Sequence, residues 1–187
     1  MRHTILASPA DTQRLRHAPT TILLHWLTAL LVAVLWCIGQ TVDWAPAGVL
    51  RVDYRSVHIL LGMILGCVLV ARLAWRTAKG GMLPPLDTGP LLVIARMTHW
   101  ALYALLLVAL GLGVTNVWAR GDVIFNLFTL PQLIPGDHGF IHQMESWHAL
   151  AANAVLIVTG LHAAAALFHH AILRDATLRR MLPWVPR

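Results

Sequence analysis

Four stretches of this chain are apolar for long enough to cross a lipid bilayer, and nothing else in it constrains the fold as strongly. A helix crosses a hydrocarbon core of about 30 Å with roughly 20 apolar residues. Residues 20–40 form a run of 21 without a charge, and 97–119 a run of 23 without Asp, Glu, Lys or Arg. Residues 57–71 are apolar throughout and continue through Arg72 to Trp75, where the arginine can snorkel towards the headgroups. Residues 146–173 form a run of 28, long enough to span while tilted. Lipid offers the backbone no hydrogen bonds, so each span is expected to be helical. The expected fold is an all-α membrane protein, a bundle of four transmembrane helices in a single domain over residues 1–187. Only 12% of the residues are charged, against about 25% in a soluble domain, which leaves no basic face for nucleic acid despite the net charge of +6.

The charges instead set the orientation. Eleven basic residues (Arg2, Arg14, Arg16, Arg72, Arg76, Lys79, Arg96, Arg174, Arg179, Arg180 and Arg187) share one side with Asp11, Asp87 and Asp175, a net of +8. The other side has Arg51, Arg55 and Arg120 against Asp43, Asp53, Asp122, Asp137 and Glu145, a net of −2. The positive-inside rule puts both termini in the cytoplasm, and makes the first side inner and the second outer. Trp26, Trp44, Trp75, Trp100, Trp118 and Trp147 fall near span ends, as interfacial belts do. The first apolar run is too long for a cleavable signal peptide, and no small-residue cleavage site follows it. Cys37 and Cys67 lie inside spans and read as buried, reduced packing residues, and no CxxCH motif offers covalent haem attachment. Of the loops, 80–90 is proline-rich, and 123–130 is apolar enough to lie along the outer interface.

Eleven histidines in so apolar a chain are the chemical signal. A histidine inside a span is a functional hypothesis by default, because an unpartnered polar group is expensive there. His148 and His162 are 14 residues apart on the last span. At about 100° and 1.5 Å per residue, they return to within roughly 40° of one face, about 21 Å apart in depth. Each depth has a counterpart, His58 for His148 and His25 for His162, which gives two stacked bis-histidine sites. Paired imidazoles without thiolate or carboxylate suit b-type haem iron, so the bundle is expected to enclose two b haems. The residue one turn beyond each ligand is small (Ala29, Gly62, Ala152 and Ala166), leaving room for a flat macrocycle, although Gly62–Gly66 also fits helix–helix packing. Zinc would require three or four converging ligands. His99 reads as an alternative inner ligand, a propionate partner or packing. His169, seven residues past His162 and nearly on its face, suits a propionate or quinone contact, or with His170 an interfacial end-cap. Arg55, one turn before His58, is a candidate partner for an outer propionate or simply a helix start. His3, His17, His138 and His142 lie in polar flanks and read as surface residues.

Several segments together resemble the short bacterial cytochrome b561 family. They are LLHWL at 23–27, SVHILLG at 56–62, MTHWALY at 97–103, ESWHALAAN at 145–153, GLHAAAALFHH at 160–170 and DATLRRMLP at 175–183. The likeness covers about 14–183, and its last three segments are quite specific in order and spacing. The resemblance implies a four-helix di-haem protein of the bacterial inner membrane. It also implies that His25 and His162 ligate the inner haem iron, and His58 and His148 the outer. By the same resemblance the chain is an oxidoreductase that takes electrons from superoxide on the periplasmic side and delivers them to ubiquinone. His169 is then a candidate quinone contact, with His99 in reserve as the protonatable group. The net −2 of the outer side does not favour an anionic donor. The same wiring serves quinol-linked transfer to a periplasmic redox partner, or a membrane-anchor subunit docked on a larger dehydrogenase.

Overall fold

The computed structural model describes residues 16–79, 83, 89–134 and 137–183. Arg2, His3, Asp11, Arg14, Asp87, Arg187 and nearly all of the 80–90 loop lie outside the described residues. Four long helices carry the fold: α1 (Pro19–Thr41), α2 (Val49–Lys79), α3 (Gly89–Arg120) and α4 (His138–Phe168). Each is long and apolar enough to span a membrane, and only 11–22% of the most apolar window in each is buried inside the bundle. Large side chains such as Leu30, Val70, Ile94 and Leu161 face outwards, as expected of a surface covered by lipid rather than water. Cys37 and Cys67 are exposed on that surface, contrary to the expectation of burial. An apolar thiol facing lipid needs no packed core around it.

The helices run past the apolar stretches that announce them. α2 starts at Val49 rather than 57, because the polar turn with Arg51, Asp53 and Arg55 continues the helix beyond the apolar layer. α4 starts at His138 rather than 146, with Asp137 as its N-cap accepting a hydrogen bond from the Phe140 N–H at 2.8 Å. α3 ends at Arg120, and Gly121 just beyond it, with φ +63°, closes the helix; a Cβ there would lie 3.3 Å from the Leu130 carbonyl oxygen.

Packing is closest within two helical hairpins, α1 with α2 and α3 with α4, while α1–α4 and α2–α3 touch more sparsely. One small core of Leu31, Leu35, Leu65, Leu69, Leu106 and Val155 joins the hairpins. Val155 lies halfway between His148 and His162, so this core divides the slot between the hairpins into two levels.

The connection from α3 to α4 is a β-hairpin, β1 (Val123–Ile124) with β2 (Phe128–Thr129). Phe125 and Asn126 both have positive φ, as the mirror-image turn of tight hairpins requires. The strain of a left-handed phenylalanine is offset by anchoring to α2. The Phe125 N–H donates to Ser56 Oγ at 2.8 Å, and the Asn126 side chain donates to Asp53 Oδ1 at 2.8 Å. The apolar 123–130 stretch is therefore folded onto the bundle end.

At the opposite, basic end, α4 loosens into a π-helical turn (His169–Leu173), and Arg174 with φ +56° reverses the chain. A short 3₁₀ turn (Arg179–Met181) follows and lies against the start of α1. Trp26 Nε1 donates to the Met181 carbonyl at 2.7 Å, the His17 N–H donates to the Arg180 carbonyl, and Arg16 bonds the Leu182 carbonyl.

Candidate functional site: two histidine levels

Near the β-hairpin, His58 of α2 faces His148 of α4 with ring centres 6.1 Å apart. His148 Nδ1 lies 2.9 Å from the Ala109 carbonyl oxygen, which can only accept. The ring proton is therefore on Nδ1 and the lone pair on Nε2. Both rings rest against glycines. A Cβ on Gly113 would come within 3.2 Å of His148 Cε1, and one on Gly39 within 3.5 Å of His58 Cε1. Those two glycines were not read from the sequence, because a ring from another helix gives them their role. At Gly62, one turn beyond His58, an added Cβ would meet nothing within 4 Å.

A charge network covers this level. Arg120 bonds Asp122 at 2.8 Å and also Glu145, and Arg55 lies 3.4 Å from Asp122. Glu145 is three residues before His148 and Arg55 three before His58, so the network sits one helical turn beyond the rings. Arg55 and Arg120 border a cavity of about 400 Å³ that also reaches His138. Arg55, the candidate propionate partner, is thus already beside a carboxylate.

At the basic end, His25 of α1 faces His162 of α4 with ring centres 6.2 Å apart. His99 of α3 stands 5.1 Å from His162, and its Nδ1 is 2.7 Å from the Ala95 carbonyl oxygen. These three rings border one narrow cavity with Ala29, Tyr103 and Arg72. Arg72 does not reach for the headgroups as expected. It turns inward, with Nη2 3.1 Å from His25 Nδ1 and its guanidinium carbon 5.4 Å from the Tyr103 ring centre.

His169 sits in the π turn below this cavity, and its Nδ1 is 2.5 Å from Asp175 Oδ2. Partial burial raises the Asp175 carboxyl's pKa, but the His169 ring and the Thr177 N–H outweigh it and bring it from 3.8 to about 2. His17, expected on the surface, is half-buried. Burial, with Arg180 and His99 nearby, holds its ring below the usual imidazole range. His138 and His142 are exposed as expected, and so is His170.

Two imidazoles whose ring centres lie about 6 Å apart would hold one metal ion between them at metal–nitrogen bonds of about 2 Å. Both facing pairs have that separation, whereas His99 and His162 are in closer ring-to-ring contact. Among the described residues no cluster of three or more His, Cys, Asp or Glu could hold a bare metal ion. The donor set therefore fits a metal that brings its own equatorial ligands, as haem iron does. Two imidazole pairs stacked along a four-helix membrane bundle define the class, a membrane cytochrome b. The chain belongs to the prokaryotic cytochrome b561 family, whose profile matches residues 16–184, and members of that family bind b haem and carry electrons across membranes. It is 29% identical to the probable superoxide oxidase CybB of Yersinia pestis, over 86% of this chain and 92% of that protein. It is 28% identical to cytochrome b561 homolog 1 of Escherichia coli (strain K12), over 90% of this chain and 97% of that protein. A cytochrome b562 of Cereibacter sphaeroides is 28% identical, over 91% of this chain and 98% of that protein.

Proposed function

We propose that the chain is a superoxide:ubiquinone oxidoreductase of the bacterial inner membrane, multi-pass with both termini cytoplasmic, using two b haems. The observation that carries this reading is the pair of imidazole sites with matched separations of 6.1 and 6.2 Å on either side of the central apolar core. His58 and His148 would hold the outer haem, and His25 and His162 the inner. Each haem, when bound, supplies one-electron redox chemistry. The overall balance is two superoxide anions losing one electron each to give two O₂, while one quinone takes both electrons and two protons.

The chain's own residues supply the rest. Ala109 fixes the His148 tautomer, so that Nε2 carries the lone pair that would hold the metal, and Gly39 and Gly113 let the outer rings sit against neighbouring helices. Asp175 holds His169 by Nδ1 at the cytoplasmic end, and this ring is the protonatable group that would pass a proton to a quinone oxygen there. His99 borders the inner cavity and is the second candidate for that role. The outer cavity with Arg55 and Arg120 is where a small anionic donor would approach.

The test is stopped-flow mixing of the purified protein with superoxide and a soluble ubiquinone. Quinol formation at two superoxide per quinone, lost in His148→Ala, is expected. Haems that are reduced by quinol but not by superoxide would reject the superoxide step. The second reading, a quinol-linked carrier or membrane-anchor subunit serving a protein partner, draws on the neutralised arginines. Asp122 and Glu145 take up much of the positive charge a small anion would seek.

A further inference from the structure

Arg72 is a charged side chain in a membrane-spanning segment, where an ionised group without a counter-ion is expensive. It nonetheless turns away from the membrane surface and into the cavity of the inner histidines. Its partners there are the His25 ring and the Tyr103 ring, which Arg76 also approaches at 5.9 Å. Among the described residues no carboxylate pairs with it. The outer level is arranged oppositely, with Arg55 and Arg120 facing Asp122 and Glu145 so that cations and anions balance.

We propose that Arg72 sets the direction of electron flow by making the inner level the stronger electron acceptor. This rests on the assignment of one b haem to each histidine pair. Reducing ferric to ferrous iron adds one negative charge to a level, and a cation a few ångströms away in a low-dielectric interior favours that change. Each haem would bring the same two propionates to its level, so the difference between levels would be the protein's own, a cation that no carboxylate among the described residues pairs with at the inner pair. Arg72 would also be the cation nearest the inner pair available to an anionic group of a haem held there. A guanidinium can only donate, so its contact with His25 Nδ1 requires the lone pair on that nitrogen. Ligation of iron by His25 Nε2 puts the proton there instead, and the two arrangements exclude each other. The guanidinium is then released towards the nearest anion. With haem held at both histidine pairs, the electron given up at the outer level would be the one taken up at the inner level, and no proton would move between them.

The test is optical redox titration of the purified protein, with haem content measured on the same samples. His58→Ala leaves the inner haem alone and His25→Ala the outer, which assigns the two midpoint potentials. The inner midpoint is expected above the outer. Arg72→Gln is expected to lower the inner midpoint and leave the outer in place, while Arg72→Lys keeps the gap. An outer midpoint at or above the inner would overturn the proposal. So would an unchanged inner midpoint in Arg72→Gln, or a fall in Arg72→Lys as large as in Arg72→Gln. If Arg72→Gln takes up no haem, the intact protein and Arg72→Lys decide. Absence of haem from the intact protein would defeat the two-haem reading itself, and shows before any titration.

Discussion

The two histidine levels differ in what surrounds them. At the outer level the backbone dominates: Gly39 and Gly113 back the rings, Ala109 fixes one tautomer, and the ionised groups one turn away are paired with each other. At the inner level side chains dominate, with His99, Tyr103 and Arg72, which no carboxylate among the described residues pairs with, sharing the cavity and His169 and Asp175 below it. A level held by backbone and balanced charge suits simple electron passage. One crowded with titratable groups suits chemistry that couples electrons to protons. The difference is physically sensible for a chain whose proposed acceptor needs both, because proton donors are useful only where the quinone is reduced.

Variants at one level should therefore leave the other intact, and the largest effect comes from the ligands. His58→Ala or His148→Ala should halve haem per polypeptide, with the surviving spectrum that of the inner haem. Loss of neither haem would break the pairing. His169→Ala should keep both haems and slow quinone reduction by roughly 10²-fold, the lower end of general acid–base contributions. An unchanged rate in a stopped-flow assay would remove His169 from the quinone site. Gly113→Ala should be milder. Its Cβ would crowd His148 at 3.2 Å, at about 1–3 kcal/mol of overpacking, so outer haem retention should fall several-fold. Gly111→Ala meets nothing within 4 Å and serves as the control. The smallest effect is at Asp175. Its folded pKa of about 2 lies below the unfolded 3.8, so its contribution is full above pH 3.8 and is lost as pH falls through about 2. Because the group is near the surface, Asp175→Asn should remove less than about 1 kcal/mol. The acid sensitivity of tryptophan fluorescence at Trp26, which bonds the neighbouring turn, would report it.

How much of this was legible beforehand depended on whether the signal was local. The spans were, because lipid demands long apolar runs, and the His148–His162 face was, because helical periodicity is a property of one segment. Helix ends were underestimated wherever polar turns continued the helix past the apolar layer, as at 49–56 and 138–145. The inward turn of Arg72 was not legible, since snorkelling and burial look alike until the neighbouring helix is in place. Nor was the β-hairpin, whose left-handed Phe125 is held by Ser56, 69 residues earlier. The return of the C-terminal segment to α1 also depends on partners distant in sequence.

The central claim is that each histidine pair holds a haem, and the direct measurement is haem b per polypeptide in detergent-purified protein, from pyridine-adduct and reduced-minus-oxidised spectra. The account predicts a ratio near two. A ratio near zero in folded protein produced with ample haem would contradict it, leaving four well-placed imidazoles without the cofactor their geometry fits.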